Sequence, residues 1–320
     1  SGTQGICVSG TTTFTTSGDE GGSWSSVNTA IATVDASGEV TGVAAGTTTI
    51  RYVVAGSGGC SNDTATRTVT VTAAPVAGTL SGTQNICSNG TTTLSSTSAG
   101  GSWSSSDDAV ATINASTGVV TPVGAGTATM TYTVTGTGGC SNATETRTVT
   151  VTAAVHAGSL SGTQGICVSG TTTFTTSGDE GGSWSSVNTA IATVDASGEV
   201  TGVAAGTTTI RYVVLGSGGC SNDTATRTVT VTAAPVAGTL SGTQNICSNG
   251  TTTLSSTSAG GTWSSDDETI ATINASTGVV TPVASGTATM TYTVAGTGGC
   301  NNATETRTVT VTDAVHAGSL

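Results

Sequence analysis

The chain has 320 residues, with 18 acidic side chains against six basic ones, all arginine, and a net charge of −12. That balance leaves almost nothing to neutralise a phosphate backbone or an anionic membrane, so no nucleic-acid partner and no direct membrane contact are expected. No apolar run approaches the ~20 residues of a membrane span. Although only 8% of residues are charged and 47 are Gly, Thr, Val and Ile fall in alternating runs that suit pleated strand over coil.

Residues 1–160 recur as 161–320 with eleven differences, such as Ala55 against Leu215 and Ser106 against Asp266. Each half is itself a pair of related units, which predicts four units of about 80 residues in a two-unit superrepeat of about 160. The first unit opens with SGTQGIC, turns at Ser9 and Gly10, and runs on as TTTFTTS, with Thr12, Phe14 and Thr16 on one face. Gly18, Gly21 and Gly22 break that run. SWSS then carries Trp24, and IATV and GEVTGV follow with a turn at Ser37 and Gly38. TTTIRYVV points Thr48, Ile50, Tyr52 and Val54 inward. TRTVTVT buries Val69 and Val71 and sets Thr66, Thr68, Thr70 and Thr72 on the other face. Arg67 shares the parity of the valines, so its guanidinium requires a partner at the sandwich end. Seven short strands around one Trp predict an all-β protein, a tandem array of four immunoglobulin-like β-sandwiches. The expected core includes Trp24, Trp103, Trp184, Trp263, Tyr52, Tyr132, Tyr212 and Tyr292.

Domain boundaries are expected in AAPVAGTLSG and AAVHAGSLSG, giving 1–74 with its first strand incomplete, 75–154, 155–234 and 235–314, with 315–320 opening a further domain. These linkers are short and lack a Gly/Ser run, so the joints should be stiff.

The string WSS followed by ATVDASGEVTGVAAGTTTI, with its partner ATINASTGVVTPVGAGTATMTY, resembles the bacterial immunoglobulin-like domain of group 2. It is similar above all to the Thr-rich, two-Cys forms in giant surface adhesins and fibres of Bacteroidota. The resemblance covers all four units. It implies a secreted or surface-displayed stalk, often exported by the type IX route, serving attachment, gliding or prey capture.

Chemistry is sparse. A catalytic dyad needs a base within reach of a nucleophile, and the two histidines, His156 and His316, both lie in linkers, so no catalytic residue and no enzyme activity are expected. Asp19 and Glu20, Asp107 and Asp108, and Asp266, Asp267 and Glu268 are acidic loop clusters that could lend two or three ligands to a calcium ion at a domain edge, short of the six to eight it takes. Solvation is the expected state of these acids, and no cofactor is required. With no Lys in the chain, a Lys–Asn isopeptide bond cannot form.

Eight Cys fall two per unit: Cys7 and Cys60, Cys87 and Cys140, Cys167 and Cys220, Cys247 and Cys300. No CxxC pair is present, and this even, periodic set predicts disulfides formed in an oxidising compartment. Cys7 lies at the foot of its unit and Cys60 in the loop at the crown, ~25 Å away along strands rising 3.3 Å per residue, whereas a disulfide tolerates less than ~7 Å between Cα atoms. The expected bonds therefore join adjacent units: Cys7–Cys140, Cys87–Cys220 and Cys167–Cys300, with Cys60 and Cys247 bonding units beyond this stretch. The alternative is Cys7–Cys60, Cys87–Cys140, Cys167–Cys220 and Cys247–Cys300. The function expected is that of a structural repeat in a long extracellular or cell-surface fibre, self-associating laterally into a homo-oligomeric filament. The competing expectation is a set of glycan- or protein-binding adhesin modules for an unknown surface ligand.

Overall fold

The computed structural model describes residues 1–316, which form strands and turns, with no helix among them. Only the end of the expected segment 315–320, from 317 onward, lies outside the described residues. The second sandwich shows the plan. One sheet runs Ser102–Ser105, Gly126–Val134, Ala143–Thr152 and Asn85–Cys87, and the facing sheet runs Thr92–Thr93, Val119–Pro122 and Ala111–Ile113. Pairing is antiparallel except where Asn85–Cys87 lies parallel to the last strand, with Ile86 opposite Val151.

Period-two alternation sets this arrangement. Along Gly126–Val134, Ala128, Met130 and Tyr132 point inward with 2%, 0% and 5% of their surface exposed. Along Ala143–Thr152, Val149 and Val151 do the same. The intervening threonines form cross-strand pairs on the outer face, Thr129 opposite Thr148 and Thr127 opposite Thr150. Such pairs add a few tenths of a kcal/mol each, up to about 1.

The expectation of seven strands per unit needs correction. The first sandwich has seven, but each of the other three has nine. Two strands are divided because they change sheets: Leu80–Ser81 pairs with Ser95–Ser96, while their continuations, Asn85–Cys87 and Thr92–Thr93, pair elsewhere. Gly82, at φ 122°, makes one of these crossings.

Each sandwich has its own apolar core. The second and fourth set Leu94 or Leu254 beside Met130 or Met290, and their Trp103 and Trp263 are 6% exposed. The first and third fill the same space with Phe14 or Phe174 beside Ile50 or Ile210. The larger Phe ring occupies the centre, so Trp24 and Trp184 are half-buried, packed against the core at its edge. This corrects the uniform Trp core expected from the repeat. Each Trp tilts against a Tyr, with centroids 4.7 to 4.9 Å apart. The Tyr132 hydroxyl donates to Ser98 O (2.9 Å) and accepts from Gly101 N (2.8 Å), pinning the loop before Trp103.

The chain divides into two compact units, Ser1–Ala154 with Gly216–Ser221, and Val155–Leu215 with Asn222–Leu320. Two sandwiches make up the body of each unit.

Candidate functional site

The arrangement that recurs through the chain is a loop of one sandwich fastened to the strand ends of another. In the first unit, the hairpin joining Gly126–Val134 to Ala143–Thr152 ends in the loop Gly136–Cys140. Gly136 N donates to Asn142 Oδ1 (3.0 Å) and Cys140 N to Thr137 O (3.1 Å), so the loop closes on itself. Gly138 (φ 58°) and Gly139 (φ 85°) both take the left-handed backbone that side chains disfavour. This compact loop lies on Gly5–Cys7 of the first sandwich, and Cys140 is bonded to Cys7 with Cα atoms 4.7 Å apart. The Cys140 sulfur sits 3.5 Å from Thr72 O and 3.6 Å from Ala73 O. A bridged sulfur has no proton to donate, so these are packing contacts.

A methyl on Gly138 would strike the Thr72 hydroxyl, and the residue facing it is again a glycine, Gly5. Gly138→Ala should therefore open the joint, since the left-handed backbone alone costs an alanine about 1–2 kcal/mol. Thiol titration of unfolded, unreduced protein should rise from the two thiols of Cys60 and Cys247 toward four.

The same joint is made twice more. Cys87 bonds Cys220, whose loop belongs to the first unit, and Cys167 bonds Cys300 within the second. The structure places Cys60 and Cys247 at the surface without a bond. No bond forms within a sandwich, because the nine- and ten-residue strands Gly126–Val134 and Ala143–Thr152 hold foot and crown apart.

The four arginines of the last strands serve the same framework. Arg147 donates to Leu80 O (3.2 Å) and Gly82 O (2.8 Å), tying the first strand at its sheet crossing. Arg227 and Arg307 repeat this, and Arg67 donates to Gly2 O (2.9 Å). In the odd sandwiches the guanidinium also lies over the central Phe, 5.4 Å from its centroid for Arg67 and Phe14.

In the second and fourth sandwiches the leading members of the acidic clusters make turn bonds. Asp107 Oδ1 accepts from Ala109 N (2.9 Å), Asp267 Oδ1 from Thr269 N and Oγ1, and Asp266 Oδ1 from Thr289 N (2.7 Å). Asn28 makes the Asp107 bond in the first sandwich with an amide oxygen, to Ala30 N (3.0 Å). The position therefore asks for an acceptor and not for a charge. Among the described residues no group of three or more His, Cys, Asp or Glu side chains comes together. His156 contributes its backbone, its N–H donating to Asp179 Oδ2 (2.7 Å), and His316 is exposed.

Four carboxylates, Asp35, Asp195, Asp223 and Asp267, are held below their ordinary value by hydrogen bonds. The Ser37 hydroxyl and then Glu39 N–H hold the Asp35 carboxyl below its ordinary 3.8. Since the folded value is depressed, its contribution is present above pH 3.8 and fades as pH falls through the folded value. Asn114 makes the equivalent turn bonds in the second sandwich, to Ser116 N and Thr117 N. Asp35→Asn combined with Asp195→Asn should therefore keep both turns and shallow the acid limb of the first and third sandwiches, where Asp223 still contributes to the third, read by circular dichroism melts below pH 3.8. An unchanged acid limb would contradict this.

With this geometry in place, two families match. The bacterial Ig-like domain (group 2) matches residues 6–63, and the intimin immunoglobulin-like domain matches residues 167–213. Both matches fall on copies of one module, the first and third sandwiches, so the chain is a tandem of immunoglobulin-like sandwiches of which these two match bacterial Ig-like domains. Among solved structures, similar ones include invasin, described as a bacterial integrin-binding protein, at 17% identity over 96% of this chain and 78% of that one, with TM-score 0.35. A C-terminal intimin fragment, in complex with the intimin-binding domain of the translocated intimin receptor, is 21% identical over 48% of this chain and 62% of that one, with TM-score 0.32. The S-layer protein SbsC is 18% identical over 98% of this chain and 54% of that one, with TM-score 0.25. The chain thus spans about half the length of the S-layer chain it matches. No protein with a curated description matches it.

Proposed function

We propose that this chain is a structural segment of a bacterial surface or secreted adhesin, a spacer whose joints are closed by disulfides so that it carries load without unravelling. The observation that carries the reading is the disulfide joint, repeated at Cys7–Cys140, Cys87–Cys220 and Cys167–Cys300. Such bonds persist outside the reducing cytosol. Their overlapping spans enclose the chain from residue 7 to residue 300. The last-strand arginines and the carboxylates of Asp107, Asp266 and Asp267 are spent on holding strands and turns, which supports a mechanical role over a catalytic one. Association of copies through the uncharged threonine faces into a filament, a Bacteroidota source and export by the type IX route belong to the same reading.

Immunogold labelling of intact cells, paired with mass spectrometry of unreduced peptides from native material, tests it. Label on unlysed cells and the three cross-linked peptides are expected. Label only after lysis, with free thiols throughout, would overturn it.

A further inference from the structure

The cysteines that bond are not those that lie nearest in sequence. Cys167 follows Cys140 by 27 residues and Cys140 follows Cys87 by 53, whereas each bonded pair is 133 apart. In an unfolded chain the chance that two residues meet falls roughly as the −3/2 power of their separation. The 27-residue pair would then meet about ten times as often as a bonded pair, and the 53-residue pair about four times as often. Loop closure alone would scramble the set, so the fold must select the partners.

The joint inside the second unit shows how. The loop Gly296–Cys300 is a local object: Gly296 N donates to Asn302 Oδ1 (2.9 Å) and Cys300 N to Thr297 O (3.1 Å), within the hairpin of Gly286–Val294 and Ala303–Thr312. Its seat is not local. Gly165–Cys167 is a strand only by virtue of Thr230–Thr232, 65 residues on. Gln164 is fastened to the same strand, its Nε2 donating to Thr228 O (3.0 Å) and its O accepting from Thr230 N (2.7 Å). Ile166, 4% exposed, closes the core beside Val229 and Val231. The Cys300 sulfur meets both halves of this seat, bonded to Cys167 and 3.5 Å from Thr232 O and 3.6 Å from Ala233 O. The seat is therefore absent until the last strand of the third sandwich has docked.

The sandwich does not need the bond in return. Its core draws only on residues between Ile166 and Val231, and every bond joins one sandwich to another. Small secreted domains that lean on disulfides carry them where a core is lacking; here the cores are complete and the bonds lie at the seams. Once a sandwich has folded, the nearer partner is out of reach. Thr152, level with Cys87, stands nine residues along its strand from Ala143, beside the Cys140 loop, which is ~30 Å at 3.3 Å per residue.

We propose that each joint disulfide is a lock that closes only on a folded seat: the sandwiches fold with their thiols reduced, and the bond comes last. That order selects the partners 133 residues apart. At each closure two thiols give up their protons, the S–S bond forms, and two electrons pass to glutathione disulfide, which is cleaved to two glutathione thiols. The reduced chain keeps its closed cores at lower stability. A chain oxidised before it folds is trapped in the nearer pairings and recovers only by thiol–disulfide exchange.

The test uses the full chain with Cys60→Ser and Cys247→Ser, which leaves the six bonded cysteines. Reduced protein is oxidised with glutathione disulfide in native buffer or in guanidinium chloride, and unreduced peptides are mapped by mass spectrometry. In native buffer, hydrogen-exchange protection at Ala143–Thr152 and Asp223–Thr232 should precede any bond, and the three joint bonds should form with no Cys140–Cys167 intermediate. In denaturant, Cys140–Cys167 should exceed Cys167–Cys300 by about tenfold. Val229→Asp sets an unpaired carboxylate at a position of 0% exposure and opens the third sandwich, which exchange at Asp223–Thr232 verifies. It should slow Cys167–Cys300 by more than about tenfold and leave the rate of Cys7–Cys140 unchanged. An unprotected reduced chain, early Cys140–Cys167 or Cys87–Cys140 bonds in native buffer, or an unslowed Cys167–Cys300 bond in the opened variant would each overturn the proposal.

Discussion

Pulled from its two ends in oxidising buffer, the chain should extend between Cys7 and Cys300 by no more than about 100 Å, and after reduction by about 1,000 Å, at roughly 3.6 Å per residue. The contrast follows from connectivity. With the bonds intact, the shortest covalent path from Cys7 crosses to Cys140, follows the backbone only to Cys167, and crosses to Cys300. Force reaches the covalent limit of that path before most of either bypassed stretch is stretched. Single-molecule force spectroscopy with and without reductant measures both lengths. Equal lengths in the two buffers would mean that the bonds do not carry the load. Reduction should also lower the stability of the paired sandwiches. A loop of 133 residues, closed on its own, corresponds to about 5 kcal/mol in the chain-entropy view.

Replacing Phe174 by Ala should unfold the third sandwich while sparing the second. Phe174 has 0% exposure at the centre of its core, and truncating a buried Phe costs about 3–5 kcal/mol. A unit of about 80 residues has only about 4–12 kcal/mol to lose at typical stability per residue. Hydrogen exchange reports the outcome strand by strand: Asp223–Thr232 should lose protection while Ala143–Thr152 keeps it. Phe174→Leu should cost less, and adding Ile210→Met should recover part of that cost, since Leu with Met is the pair used by the second sandwich at Leu94 and Met130. Full protection of Asp223–Thr232 in Phe174→Ala would show that this core tolerates the cavity.

Much of this fold can be read in the amino-acid order because one face of each long strand is dry. In Gly46–Val54 the inward set Thr48, Ile50 and Tyr52 alternates with polar residues, and a one-residue slip would expose all of it. The crossings of strands between sheets were not legible. Alternation continues unbroken through Leu94, so nothing in the pattern shows that Thr92–Thr93 and Ser95–Ser96 serve different partners. Parity turned Arg67 and its repeats inward, but their partners are backbone oxygens some 65 residues earlier, and a carbonyl has no sequence signature. The acids near the Trp were expected to be solvated, and the turn bonds of Asp107 and Asp267 stayed hidden for the same reason. Their partners are main-chain N–H groups two residues on at Asp107 and Asp267, and the substitution of Asn28 for Asp107 in the first unit was the available signal. The Trp environments differ through the trade of Phe14 for Leu94, a volume effect that the repeat itself conceals.

The disulfide spans 7–140, 87–220 and 167–300 interlock, so every peptide bond from residue 7 to residue 300 lies inside at least one of them. A protease that nicks any one loop in that range therefore leaves both fragments tethered. Between 87 and 140, and again between 167 and 220, the molecule would survive a nick and the loss of one sulfur bond together. Damage that would sever an ordinary chain of domains leaves this one in a single piece.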